Sequence, residues 1–146
     1  LTGFLSGMAG GVLIGGLIAD RTSRHDLVAI LCFALLAATM AIIAATSPGP
    51  WLLIPLLTLG GMSVGIVAPS RDMIIRSITP PDSMGKVFGF VSVGFNIGGI
   101  IAPPAFGLLL DYGAPTHLFW AVSALALLTV VAVMVTTWQR ARHRVV

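Results

Sequence analysis

Five long apolar segments, separated by short polar stretches, make up almost the whole chain. Each segment is close to the ~20 residues that a helix needs to cross the hydrocarbon core of a bilayer. The segments are too long for the strands of a membrane barrel, and they lack the alternation of apolar and polar positions that such strands show. The pattern predicts an all-α, polytopic transmembrane bundle, with helices at about 2–19, 27–45, 51–77, 86–110 and 117–138. The membrane span of the third helix is about 51–68, and its remainder is a polar extension outside the span.

Composition supports a membrane protein and excludes an ordinary soluble domain. Hydrophobic residues make up 57% of the chain and charged residues only 9%, whereas soluble domains carry roughly 25% charge. The lipid bilayer is therefore the expected surrounding of the helices. The net charge of +3 comes from bases dispersed over several loops without interleaved aromatic residues, so nucleic-acid binding is not predicted.

All eight Lys and Arg residues lie on the same side of the five segments, so basic connections alternate with connections that have no base. No Lys or Arg lies in the connections after the second and fourth segments. Positive charge accumulates on the cytoplasmic side of polytopic proteins, so the N-terminus is predicted outside and the C-terminus in the cytoplasm of a cell membrane, such as a bacterial inner membrane. The bases follow the first segment (Arg21, Arg24), the third (Arg71, Arg76, Lys86) and the fifth (Arg140, Arg142, Arg144).

Catalytic chemistry has no visible basis in the sequence. The polar residues expected to be buried within the spans are only Ser, Thr and Asn, the chain has no Glu, and Cys32 is its single cysteine. A nucleophile with its base, paired acids or a set of metal ligands would be needed for an enzyme. We therefore predict no enzyme, no cofactor and no metal site.

Glycine is concentrated in helices one, three and four and is absent from helices two and five. Small residues let helices approach closely in lipid, where apolar attraction between helices is weak. Helices one, three and four are thus expected to pack closely or line a cavity, and helices two and five to face lipid. The clearest row is Gly3, Gly7, Gly11 and Gly15, which is either a packing surface or a sliding surface.

Helix four carries a second face of small and polar residues, including Gly89, Ser92, Asn96 and Pro103. Asn96 is the one amide inside the predicted spans, so it should face protein or water rather than lipid. It either bonds a neighbouring helix or contacts a substrate. The candidates for a substrate path are Asn96, Ser92 and Ser63, with Phe95 as a stacking wall, and such an uncharged surface suits a lipophilic or neutral compound.

Two segments carry a resemblance to a known family. The segment 16–25, GLIADRTSRH, resembles the cytoplasmic-loop signature of the major facilitator superfamily, with Ser23 where a glycine is usual. Gly89, Gly98, Pro103 and Gly107 are similar in spacing to the superfamily's glycine–proline signature. These four residues and the row from Gly3 to Gly15 are assigned to helix packing.

The resemblance implies that these are the last five helices of a six-helix half. Helix three has no buried Arg, which favours the carboxy-terminal half, so the amino-terminal half of the same transporter is an expected partner. The start at Leu1 inside an apolar helix also suggests a fragment, which is not expected to transport alone. Asp20, Arg21 and Arg24 would act in a cytoplasmic gate, although Arg21 and Arg24 could instead only set topology.

The function implied is secondary active transport of a small molecule by alternating access, with proton-coupled efflux of a lipophilic or drug-like compound as the specific hypothesis. No acidic residue lies inside a predicted span, so a coupling carboxylate is expected outside this sequence. One alternative is a small oligomerising membrane module or channel that assembles through the row from Gly3 to Gly15. Another is an uptake transporter for a small organic metabolite.

Arg71 and Asp72 are interpreted as lipid contacts or a second gate pair, and Arg76 and Lys86 as topological charges.

Overall fold

The computed structural model describes residues 2–112 and 115–143, and within these ranges it is a bundle of five helices without strands. All five are long and apolar enough to cross a membrane. The predicted all-α transmembrane fold is therefore confirmed. The helices are α1 (Thr2–Arg21), α2 (His25–Thr46), α3 (Pro50–Ile78), α4 (Met84–Tyr112) and α5 (Pro115–His143), and a 3₁₀ turn (Pro81–Ser83) precedes α4.

The helix ends follow from local sequence. Ser47 adopts a left-handed conformation with φ of 41°, and its N–H donates to the Ile43 carbonyl oxygen at 3.0 Å, which closes the last turn of α2. Pro50 then begins α3, where its missing N–H costs nothing. At the other end of α3, Thr79 is extended, as the residue before a proline prefers. The end of the bundle where α1, α3 and α5 finish carries the basic loops, and we call it the basic end.

α1 and α3 pack backbone to backbone through glycine. A Cβ added at Gly11 would overlap the Met62 carbonyl oxygen, and one at Gly15 would lie 2.7 Å from the Ile66 Cα. The approach is reciprocal, because a Cβ at Gly65 would overlap the Met8 carbonyl oxygen of α1. This is the close contact that small residues permit in lipid, where packing and not apolar attraction holds helices together.

α2 lies between α3 and α5 and is more buried than its sequence suggested. In its apolar window 39% of residues are buried, so the expectation that α2 faces lipid describes only its outer side. Alanine explains the difference, because it lets helices approach much as glycine does. Ser123 of α5 also donates to the Ala37 carbonyl oxygen at 2.9 Å. The core consists of Leu36, Ala37, Met40, Ile43 and Ala126.

α4 is the least embedded helix. None of residues 84–111 is buried, and a Cβ added at Gly89, Gly98 or Gly107 would meet nothing within 4 Å. Within the described residues these glycines therefore pack against no other helix, and the expectation that helix four packs closely or lines a cavity stays a prediction. The helix continues through Pro103 and Pro104, so two missing backbone donors do not end it.

Candidate functional site

The exposed face of α4 holds the polar residues that the sequence selected. Ser92 and Asn96 are exposed, and neither hydrogen-bonds any other residue in the described ranges. They are four residues apart, so they lie on one face of the helix. Phe88 and Phe95, seven residues apart, extend the same side of the helix. The result is an aromatic and polar surface without a formal charge of its own.

One cation from α3 lies over this surface. The guanidinium of Arg71 stacks on the ring of Phe95, 4.4 Å from its centroid. The same guanidinium donates from Nε and Nη2 to Oδ1 of Asp72, at 3.0 Å and 2.9 Å. The ion pair is about half exposed, with side-chain exposures of 41% and 48%, so it adds little stability by itself. Its geometric effect is to hold a paired cation against α4.

A small cavity at the basic end brings together residues from three helices. It is a partly open space of about 310 Å³ between the end of α1, the last turns of α3 and the start of α4. Asp20, Asp72 and Arg76 supply its charged groups, and Phe88 closes the α4 side. Asp20 forms no ion pair with the side chains that the structure describes, those of residues 2–111 and 115–139. The cavity therefore holds an unpaired carboxylate beside a guanidinium from another helix.

The other predicted site residues lie elsewhere. Arg21 and Arg24 are exposed in the first loop, and the Arg24 N–H donates to the Thr22 hydroxyl at 3.3 Å. Ser63 is 2% exposed and donates to the Leu59 carbonyl oxygen of its own helix. Ser63 is thus closed to a substrate in this conformation and does not share the exposed surface of Ser92 and Asn96.

Sequence reasoning missed two features of the site. Arg76 was interpreted as a topological charge, yet it lines the same cavity as Asp20. A signal was available, since Asp72 and Arg76 are four residues apart and lie on one helix face. The stacking of Arg71 on Phe95 had no such signal, because it joins separate helices and depends on their packing.

Comparison with known proteins identifies the family. The sequence matches the family model of the Major Facilitator Superfamily over residues 1–145. The chain belongs to this superfamily. Within it, the chain is 26% identical over 121 residues to the multi-drug resistance efflux pump PmrA of Streptococcus pneumoniae, which covers 83% of this chain and 29% of that protein.

Two further relatives also match this chain over only part of their own length. The uncharacterized transporter YgaY of Escherichia coli O157:H7 is 31% identical over 126 residues, covering 86% of this chain and 31% of that protein. The quinolone resistance protein NorA of Staphylococcus aureus is 29% identical over 98 residues, covering 66% of this chain and 24% of that protein. No solved structure matches the chain. The chain thus spans less than a third of these curated relatives, and its superfamily is one of multi-pass membrane transporters.

Proposed function

We propose that this chain forms one wall of the transport path in a secondary transporter that exports lipophilic or drug-like compounds by alternating access. Membership of the superfamily supports transport. The names of two relatives, an efflux pump and a quinolone resistance protein, support export of drugs. The chain covers less than a third of those relatives, so the second wall of the path would come from the rest of the transporter.

The observation that carries the proposal is the exposed face of α4. An asparagine on a membrane helix is costly in lipid and belongs beside protein or water. Asn96 has neither a buried position nor a hydrogen-bond partner within the described residues. Ser92 and Phe95 adjoin it on the helix. An amide, a hydroxyl and an aromatic ring without a net charge suit a compound that is largely apolar and carries a few polar atoms.

The cavity at the basic end supplies a gate in this proposal. Positive-inside topology would place the basic end in the cytoplasm. There Asp20 of α1 and Arg76 of α3 line one space with Phe88 of α4. Opening toward the cytoplasm would move α4 relative to α1 and α3, withdrawing Phe88 from the cavity that Asp20 lines and separating Phe95 from Arg71. Closing would reverse both movements.

Proton coupling would depend on residues outside this chain. All five acidic residues lie in loops or near helix ends: Asp20, Asp26, Asp72, Asp82 and Asp111. Proton-coupled transporters use ionisable groups within the membrane for their relay. The proposed division of labour is that this chain contributes compound contacts and a gate, while another part of the transporter carries the proton.

The oligomeric-module hypothesis loses its main support in this geometry. It depended on a free row from Gly3 to Gly15. In the structure Gly7, Gly11 and Gly15 face the backbone of α3, so that row is occupied within one chain and is not open to a second copy.

The experiment is transport by the complete protein in inside-out membrane vesicles. The substrates are a fluoroquinolone and a panel of lipophilic dyes, with and without a proton gradient. Asn96→Ala should lower transport at least tenfold for some compounds and change the ranking of the panel. Gln139→Ala, which removes an exposed amide near the end of α5, should leave transport unchanged. Wild-type transport by Asn96→Ala contradicts the proposed wall, and net movement in the opposite direction favours the uptake alternative.

A further inference from the structure

A second and larger cavity at the basic end is not used by the transport path. It is a partly open space of about 840 Å³ between the first loop and start of α2, the last turns of α3, and α5 near Thr137. This volume lies within the roughly 300–1,000 Å³ of typical small-ligand sites. The cavity belongs to the side of the bundle formed by α2, α3 and α5, whereas the proposed path follows the exposed face of α4.

The polar lining of this cavity favours an anion. Arg24 and Arg76 contribute two guanidinium groups, and Asp26 contributes one carboxylate. The formal charges of these three side chains sum to one positive charge. Arginine presents a planar fork of donors that matches phosphate geometry. Ser23 adds one hydroxyl donor to the wall, whereas the Ser77 and Thr137 hydroxyls already donate to the Ile74 and Val133 carbonyl oxygens.

One polar atom in the cavity wall has no hydrogen-bond partner among the described residues, and a ligand or its hydration water could provide one. His25 is part of the lining, and its Nδ1 is buried without a partner in the described residues. Buried ring nitrogens are almost always satisfied by protein or ordered water. A small turn of the ring toward the cavity would offer this nitrogen to a bound group.

The remaining lining is apolar and defines which anion fits. Leu27, Met73 and Ile74 form the apolar part of the wall. Leu27 lies in the first turn of the membrane-spanning helix α2, and Met73 lies where α3 leaves its apolar stretch. The site therefore combines a basic polar part with an apolar part, at the helix ends. Basic pockets between helix ends on the cytoplasmic side suit the head groups of anionic lipids.

We propose that this cavity binds the phosphate of an anionic phospholipid of the cytoplasmic leaflet. Arg24 and Arg76 contact the phosphate, and the start of an acyl chain lies along Leu27 and Ile74. Arg76 also lines the smaller cavity with Asp20. A phosphate bound to Arg76 would therefore hold this guanidinium away from the cavity that it lines with Asp20, which connects lipid occupancy to the proposed gate.

The test uses the complete transporter, purified and stripped of lipid, with binding measured by native mass spectrometry and by fluorescence with a labelled acyl chain. The probes are phosphatidylglycerol and phosphatidylcholine with the same acyl chains, and soluble glycerol phosphate. Phosphatidylglycerol should bind about tenfold more tightly than phosphatidylcholine. Replacing both Arg24 and Arg76 by Gln should weaken the binding of phosphatidylglycerol roughly thirtyfold, because each substitution removes one charge contact worth roughly a factor of five.

Two controls keep the outcome decisive. Lys86→Gln removes an exposed cation at the same end that does not line the cavity, and it should change affinity less than twofold. The double variant Arg24→Lys with Arg76→Lys keeps both charges. It should restore most of the binding if the Gln variant binds weakly because it lacks the charges and not because it misfolds. Equal binding of the two lipids, or of wild type and double Gln variant, overturns the proposal. Glycerol phosphate binding as tightly as the lipid, with the same dependence on arginine, overturns the lipid assignment in favour of a soluble phosphate compound.

Discussion

Two adjacent glycines of α1 provide a matched test of the packing that positions the site. Gly10→Ala and Gly11→Ala add the same methyl group to the same helix turn. No atom lies within 4 Å of a Cβ at Gly10, whereas a Cβ at Gly11 overlaps the Met62 carbonyl oxygen and lies 2.9 Å from the Met62 Cα. Both substitutions gain the same helix propensity, about 0.5–1 kcal/mol over glycine. The difference between the two variants in free energy of unfolding therefore measures the contact between α1 and α3.

The expected difference follows from that geometry. Ordinary contact begins near 3.4 Å, and a helix backbone cannot rotate away as a side chain can. α1 and α3 must then separate locally by several tenths of an ångström or more, and a gap of about 0.5–1 Å already forfeits a quarter to a half of a contact's attraction. We expect Gly11→Ala to be less stable than Gly10→Ala by about 1–3 kcal/mol.

The assay is the free energy of unfolding of the complete transporter in bicelles, measured by steric trapping. Gly10→Ala should be as stable as wild type or slightly more stable. The reasoning is refuted if Gly11→Ala unfolds with the same free energy as Gly10→Ala, because the backbone contact between α1 and α3 would then not exist in the folded protein.

Three further predictions concern contacts between helices and the gate. Ser123→Ala removes the hydrogen bond to α2 and should lower the free energy of unfolding by about 0.6 kcal/mol, and by no more than about 1.7; an unchanged unfolding curve would mean that the bond is not made. A double-mutant cycle of Arg71→Gln and Phe95→Leu should give a coupling energy of about 0.5–1 kcal/mol, as for cation–π pairs at exposed sites, and strict additivity would show that the ring and the guanidinium do not meet. Asp20→Lys should lower compound export at least several-fold while the protein still inserts, as measured by vesicle transport and by its level in the membrane; full export by this variant would exclude a gate role for the carboxylate.

The fold could be predicted from the sequence because the bilayer imposes strong rules on it. Five apolar runs near the length of a spanning helix leave little choice of secondary structure. The termini of the helices were also readable, since Pro50 suits a helix start and Pro80 follows a helix end. The observed helix bounds differ most from the predicted ones at α5, which continues to His143 and not only to residue 138, because no proline or glycine stops it.

Helix partners were harder to predict than helices. Gly11 and Gly65 indicate that close approach is possible on α1 and α3, and these two helices do meet. Gly98 of α4 indicates the same and has no neighbour within the described residues. A glycine row specifies a surface and not its partner, so the pairing depends on which other helices compete for it.

The site could be predicted only where one helix carries it. Asn96 and Ser92 are neighbours by helical spacing, and the structure exposes both. The cavity that joins Asp20 to Arg76 depends on how α1 crosses α3. The position of Arg71 over Phe95 likewise depends on α3 and α4. Such contacts arise from tertiary packing, for which a single sequence carries no local signal.

The most direct test of the transport wall is accessibility along α4. In a Cys32→Ala background of the complete transporter, single cysteines are placed at Ser92, at Asn96 and, as a control, at Leu128 on the exposed surface of α5. A membrane-impermeant maleimide should label the two α4 positions and leave position 128 unlabelled, because lipid and not water surrounds that part of α5. A transported dye should slow labelling at positions 92 and 96. Absence of labelling at both α4 positions, or labelling equal to that at position 128 and insensitive to the dye, would contradict the account.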